Sequence, residues 1–154
     1  MKRELRGVSV IIFLLVVISL ASKPTYGQRP YADSLKKILD HTSNPKLQVD
    51  LMCDIAYDYF DFDDDKAEVF ARQALELAEA NNYLSGKKYA LTILGLGDFS
   101  FGDYQHALKN LFASRNIKAD QKPEYTGYNL MLIGSTYRDL AKYDSAEYFY
   151  KQAL

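Results

Sequence analysis

Large apolar side chains recur three and four residues apart along most of this chain, the spacing of one face of an α-helix. Leu35, Ile38 and Leu39 form the first such stripe and predict a short helix over residues 31–40. His41-Thr42-Ser43-Asn44-Pro45 then breaks the pattern with strong turn chemistry. Beyond that break the predicted helices come in pairs: residues 46–60 with 66–81, 87–101 with 104–118, and 124–141 with 145–154. Leu51, Ile55 and Tyr59 face inward in the first pair, Leu91, Leu94 and Phe101 in the second, and Leu130, Ile133 and Tyr137 in the third. Turns at residues 61–65, Gly102-Asp103 and residues 142–144 separate the members of each pair. Asn81-Asn82 and Gly86 mark one boundary between pairs, and residues 119–123 form the loop at the next. No alternating run is long enough to predict a strand, so the expected fold class is all-α.

Small residues keep register with these pairs. Ala56, Gly95 and Gly134 sit in the first helices, and the two intervals between them are equal. Ala67, Ala107 and Ala146 open the second helices. A small residue lets a neighbouring helix come close. Self-similarity at a period of roughly 40 residues is the mark of a solenoid, whose units contact mainly their neighbours.

These residues resemble the tetratricopeptide repeat, whose pattern is Trp-x2-Leu-Gly-x2-Tyr, then Ala, an aromatic, Ala and a closing Pro. Ile133, Gly134, Tyr137, Ala146, Tyr150 and Ala153 match it in the third copy. Leu94, Gly95, Ala107 and Leu111 match in the second, with Asp98 replacing the first Tyr and Ser114 the last Ala. The first copy is looser: Ile55-Ala56, Tyr59, Ala67, Ala71 and Ala74, with the step from Ala56 to Ala67 shorter by one position than in the other copies. The Trp and the closing Pro are absent. The period exceeds the usual 34, and looks like a subclass with lengthened helices found in bacterial signalling proteins. The resemblance covers residues 46–154 and implies a TPR-like α-solenoid, a right-handed superhelix of antiparallel helix pairs. Residues 28–45 are then expected to cap its open end.

The N-terminus reads as a signal peptide over residues 1–27. Lys2, Arg3 and Arg6 give a positive end, and residues 8–21 form an apolar run of 14 broken only by Ser9 and Ser19. That run is shorter than the roughly 20 residues of a bilayer span. Small residues at Thr25 and Gly27 favour cleavage before Gln28. The chain is therefore expected to be exported to the periplasm or another extracytoplasmic space, with anchoring by residues 8–21 as the alternative. Removing residues 1–27 leaves 15 basic and 19 acidic side chains. A net charge near −4 argues against nucleic acid, whose phosphates need a basic face. Cys53 is the single cysteine, so no intramolecular disulfide forms and no lipid attaches after the apolar run.

Candidate chemistry is sparse. Asp61-Phe62-Asp63-Asp64-Asp65 has carboxylates at the first, third and fifth places of an EF-hand loop. Lys66 and Arg72 then occupy places that need Gly and Glu, so the segment reads as an acidic turn capping a helix. His41 and His106 have no His or Cys partner at ligand spacing, Cys53 lacks a nucleophile motif, and Gly95-x-Gly97 follows no strand. We expect no catalytic residues, metal or cofactor, and so no enzyme.

The resemblance points instead to a groove, because the family lines its inner face with the first helix of each pair. Counting from the small residues places Asp50, Cys53, Tyr57, Phe60 and Asp61 there, then Tyr89, Thr92, Leu96 and Phe99, then Tyr128, Met131, Ser135 and Arg138. The family's Lys, Asn and Arg clamp for a terminal carboxylate is missing, since Cys53, Tyr57, Thr92, Leu96, Met131 and Ser135 hold its places. An aromatic groove suits a peptide or helix with hydrophobic anchors. The expected function is an exported protein-interaction scaffold binding such a segment. The alternative is the sensory input region of a larger signalling protein, a histidine kinase or a helix-turn-helix regulator. The chain stops inside a predicted helix at Leu154, where a solenoid end wants a polar cap. Continuation of the natural protein, or self-association through that helix, is therefore expected.

Overall fold

The computed structural model describes residues 30–60, 62–119 and 123–154. The expected signal peptide or anchor, the cleavage point before Gln28, and Asp61 lie outside them. The described residues form seven α-helices and no strand: α1 Pro30–Asp40, α2 Pro45–Tyr59, α3 Asp64–Ala80, α4 Leu84–Ser100, α5 Tyr104–Asn116, α6 Pro123–Asp139 and α7 Tyr143–Ala153. They pack in successive pairs, α2 with α3, α4 with α5 and α6 with α7. Each first helix also lies beside the next, α2 on α4 and α4 on α6, and each second helix leans on the following first helix. Among the described residues α3 and α5 make no close backbone approach to each other. The molecule over residues 31–154 is a helical repeat whose first helices share one face.

Local chemistry sets the helix ends. Asn44 accepts from the backbone N–H of Lys46 at 3.0 Å, and Pro45 opens α2 in the position where proline has no N–H to lose. Asp63 and Asp103 cap α3 and α5 in the same way, each at 3.1 Å. Three helices end on a residue with positive φ: Asn82 (50°), Gly102 (77°) and Ala141 (57°). At each, the following N–H reaches back to a carbonyl five positions earlier, at 2.8 Å for Tyr83 to Ala78, Asp103 to Asp98 and Lys142 to Tyr137. This is the Schellman closure of a helix C-terminus.

Gly86 corrects one expectation. It lies inside α4 and not at a boundary, and a Cβ there would run into the Tyr83 ring and sit 2.6 Å from a Val49 methyl. Its smallness lets α4 approach α2, while the break itself is at Asn82. Pro123 likewise opens α6 and does not end a loop. The small residues of the repeat do what their register implies. A Cβ on Gly95 would stand 2.7 Å from Leu111, and one on Gly134 would stand 2.7 Å from the Tyr150 ring. Leu111 and Tyr150 hold equivalent places in their pairs. In the first pair, whose turn is shorter by one position, Ala56 shares a core cluster with Ala71, the matching residue. Where the first helix spends a methyl, the second gives up a large side chain.

The core is one layer of such contacts repeated. Ala32 and Leu35 of α1 cover Leu51, Ile55, Tyr59 and Ala67. Val49, Cys53, Ala74, Ala90 and Ile93 join the first pair to the second, and Leu111, Leu132 and Ile133 join the second to the third. A buried polar chain runs through the second junction. The Thr92 hydroxyl lies 2.9 Å from that of Ser114, and Asn129 donates to the Thr92 hydroxyl at 3.1 Å and to the Leu111 carbonyl at 3.3 Å.

Candidate functional site

On the face shared by the first helices, the C-terminal half of α2 and the N-terminal halves of α4 and α6 converge. Tyr57, Tyr89, Ile93, Tyr125 and Tyr128 line a cleft of about 270 Å³ between them. Helical spacing sets these side chains on one side of their helices, because Tyr89 and Ile93 are four residues apart and Tyr125 and Tyr128 three. Tyr89 and Tyr125 stack at 4.4 Å between ring centroids, and Tyr57 meets Tyr128 edge-on at 5.8 Å. Tyr57 is 50% exposed and Tyr89 only 8%, so one wall of the cleft is fixed in the core and the other stands in solvent.

Carboxylates of α2 hold two nearby phenols, one of them a cleft wall. The Tyr89 hydroxyl donates to Asp54 at 2.8 Å, and the Tyr83 hydroxyl donates to Asp50 at 3.1 Å. Burial, the Asp54 charge and that hydrogen bond hold the Tyr89 phenol far above its ordinary pKa. Burial and the Asp50 charge push Tyr83 up to about 12. Both hydroxyls thus stay protonated donors at neutral pH. Asp58 follows one turn after Asp54, and its Oδ2 is buried without a hydrogen-bond partner.

Of the expected groove residues, the structure brings Tyr57, Tyr89 and Tyr128 into one place. It puts others into packing. Thr92 is 1% exposed and holds the polar junction described above. Cys53 is fully buried at the matching position of α2. Both face the neighbouring first helix and not the open face, because that neighbour comes close enough to cover them. The Phe60 ring lies against Gly97, and Leu96 and Phe99 pack toward Leu111 and Leu132. Met131 is 43% exposed, the Ser135 hydroxyl lies 3.1 Å from that of Tyr150, and Arg138 pairs with Asp139 at 2.8 Å. Ile93 and Tyr125 were not expected. Their spacing from Tyr89 and Tyr128 carried the signal, but the relative slide of α6 along α4 did not show in any local pattern.

The chemistry candidates have structural places. Asp63 accepts from the Lys66 N–H and pairs with its ammonium at 2.5 Å, which lowers the Asp63 pKa. The exposed His106 ring lies 2.7 Å from the Asp103 carboxylate at the start of α5. Burial first, then the charges of Asp50 and Asp54, pushes the Cys53 thiol well up, which keeps it from the thiolate form that reacts. Among the described residues no three His, Cys, Asp or Glu side chains gather as a metal-holding group. No described helix is long and apolar enough to cross a membrane. No protein-family model and no curated protein matches this chain.

Proposed function

We propose that this is an exported, non-enzymatic protein-interaction module of the tetratricopeptide-repeat type, which docks a peptide or helical segment on the face of its first helices. The observation that carries the reading is the tyrosine cleft, built jointly by α2, α4 and α6. Aromatic rings presented by rigid helices give large contact area with little entropy to lose, as at interface hot spots. The sequence features that support export are the basic end, the apolar run of residues 8–21 and the small residues at Thr25 and Gly27. The acidic balance of the chain supports a protein partner over nucleic acid.

Peptide display against residues 28–154 tests the docking reading. Selected peptides should bind the parent and lose at least about tenfold in affinity on a Tyr57→Ala/Tyr128→Ala variant of unchanged helicity. Selection of nothing, or of peptides indifferent to that variant, would count against the cleft as a docking site. Export has its own check: N-terminal sequencing of protein recovered from the periplasm of an expressing bacterium should begin at Gln28.

A further inference from the structure

The cleft walls are rings and apolar surface, and one carboxylate, Asp54, stands behind them on the Tyr89 hydroxyl. Asp50, Asp54 and Asp58 stand four residues apart along α2, the helix that also supplies Tyr57. That spacing sets them along one side of the helix. Asp54 is tied to the cleft directly, since it accepts from the hydroxyl of Tyr89, whose ring is a cleft wall. A phenol that donates to a carboxylate pushes electron density into its ring and deepens the negative face that attracts cations. The Tyr57 and Tyr128 ring centroids are 5.8 Å apart, a scale within the roughly 6 Å over which a cation feels an aromatic ring. Elsewhere this protein's own Lys46 ammonium lies 5.5 Å from the centroid of the Tyr83 ring.

We infer that the tyrosine cleft receives the side chain of a lysine or arginine from a docked peptide, its charged head near Tyr89 and Asp54 and its apolar stem against the half-buried rings of Tyr125 and Tyr128. This inference rests on the docking reading above and names the chemistry of the partner. A purely apolar anchor would fit the rings but would leave the Asp54 charge less solvated and unbalanced, an unfavourable change. A cation offsets that charge, and a long basic side chain carries both the stem for the apolar wall and the charge for Asp54.

The test compares two pools of capped nonapeptides, degenerate except at the centre, which is lysine in one and norleucine in the other. Norleucine keeps the stem and removes the charge. n-Butylammonium is titrated separately as a free cation. Binding is followed by tyrosine ring resonances in NMR. The lysine pool is expected to bind roughly tenfold tighter than the norleucine pool, and to lose that margin in Tyr57→Leu and Tyr128→Leu, which keep apolar bulk without a π face. Tyr128→Phe should keep it, and Asp54→Asn should reduce it. Equal binding of the two pools would overturn the cationic partner and leave peptide docking standing. Perturbation by n-butylammonium with neither pool bound would overturn both, as would no binding by any of the three.

Discussion

At the scale of single residues, Gly95 shows how the repeat is written as paired volumes. It faces Leu111 at a distance that leaves no room for a methyl, whereas the first pair meets the same need with Ala56 and Ala71. Gly95→Ala alone should destabilise by about 1–3 kcal/mol through overpacking, and Leu111→Ala by about 2–5 kcal/mol through a cavity. Together they recreate the first pair's combination. Their combined effect should therefore fall short of the sum by about 0.5 kcal/mol or more, in the range seen for residues in contact. Additive losses in urea unfolding would break the equivalence. The tyrosines carry a pH dependence. Tyr83 and Tyr89 have folded pKa values raised above the unfolded value near 10. Their contribution to stability is therefore complete below pH 10 and is lost as pH rises from there through about 12, the folded value of Tyr83. Phenolate absorbance from these two rings should appear together with loss of helicity. Their titration in a still-folded protein would contradict this.

At the scale of elements, the turns inside the second and third pairs can be compared residue by residue. Gly102, Asp103 and Tyr104 stand where Ala141, Lys142 and Tyr143 stand one repeat later. Gly102 takes its positive φ freely, and Asp103 caps α5. Ala141 holds a φ of 57° with a Cβ in the way, and Lys142 gives α7 no side-chain cap. Ala141→Gly relieves about 1–2 kcal/mol of left-handed strain, offset by part of that in unfolded-chain entropy. Lys142→Asp adds a cap worth about 0.5–2 kcal/mol. The double variant should therefore melt several degrees higher, and an unchanged or lower Tm would mean that the two turns are not alike. The same comparison explains what the sequence made legible. Stripes of Leu, Ile and Tyr at helical spacing predicted every described helix to within a few residues, because burial of such a stripe is what makes each helix stable. The starts were less clear. Asp64 and Leu84 begin their helices earlier than the apolar pattern does, since capping and the Schellman turn at Asn82 set those ends. Gly86 read as a break because close approach and helix-breaking ask for the same residue.

At the scale of residues 31–154 as a whole, the first helices must lie in a fixed register for any cleft to exist, and that register was hidden from a local reading. The repeat spacing counts Thr92 onto the open face, and Asn129 belongs to no motif. In the structure the two meet in the interior and lock α4, α5 and α6 together with Ser114. Ser114 occupies the place where the repeat pattern has Ala, so its departure from the pattern was itself the signal of a polar junction. A repeat protein is stabilised by its units and by the interfaces between neighbours. A change at one interface should thus loosen what lies beyond it and spare the rest. Asn129→Ala removes the donor that bridges Thr92 and the Leu111 carbonyl, a buried loss worth about 1–3 kcal/mol. The expected result is local: amide exchange in α6 and α7 should quicken by about tenfold or more, while α2 and α3 keep their protection. Tyr125 and Tyr128 ride on α6 and lose their place against Tyr89 and Tyr57, so peptide binding should weaken as well, although no cleft residue has been touched. Uniform exchange across all helices would show that the pairs unfold as one unit. Retained binding with a loosened α6 would show that the cleft draws its geometry from α2 and α4 alone.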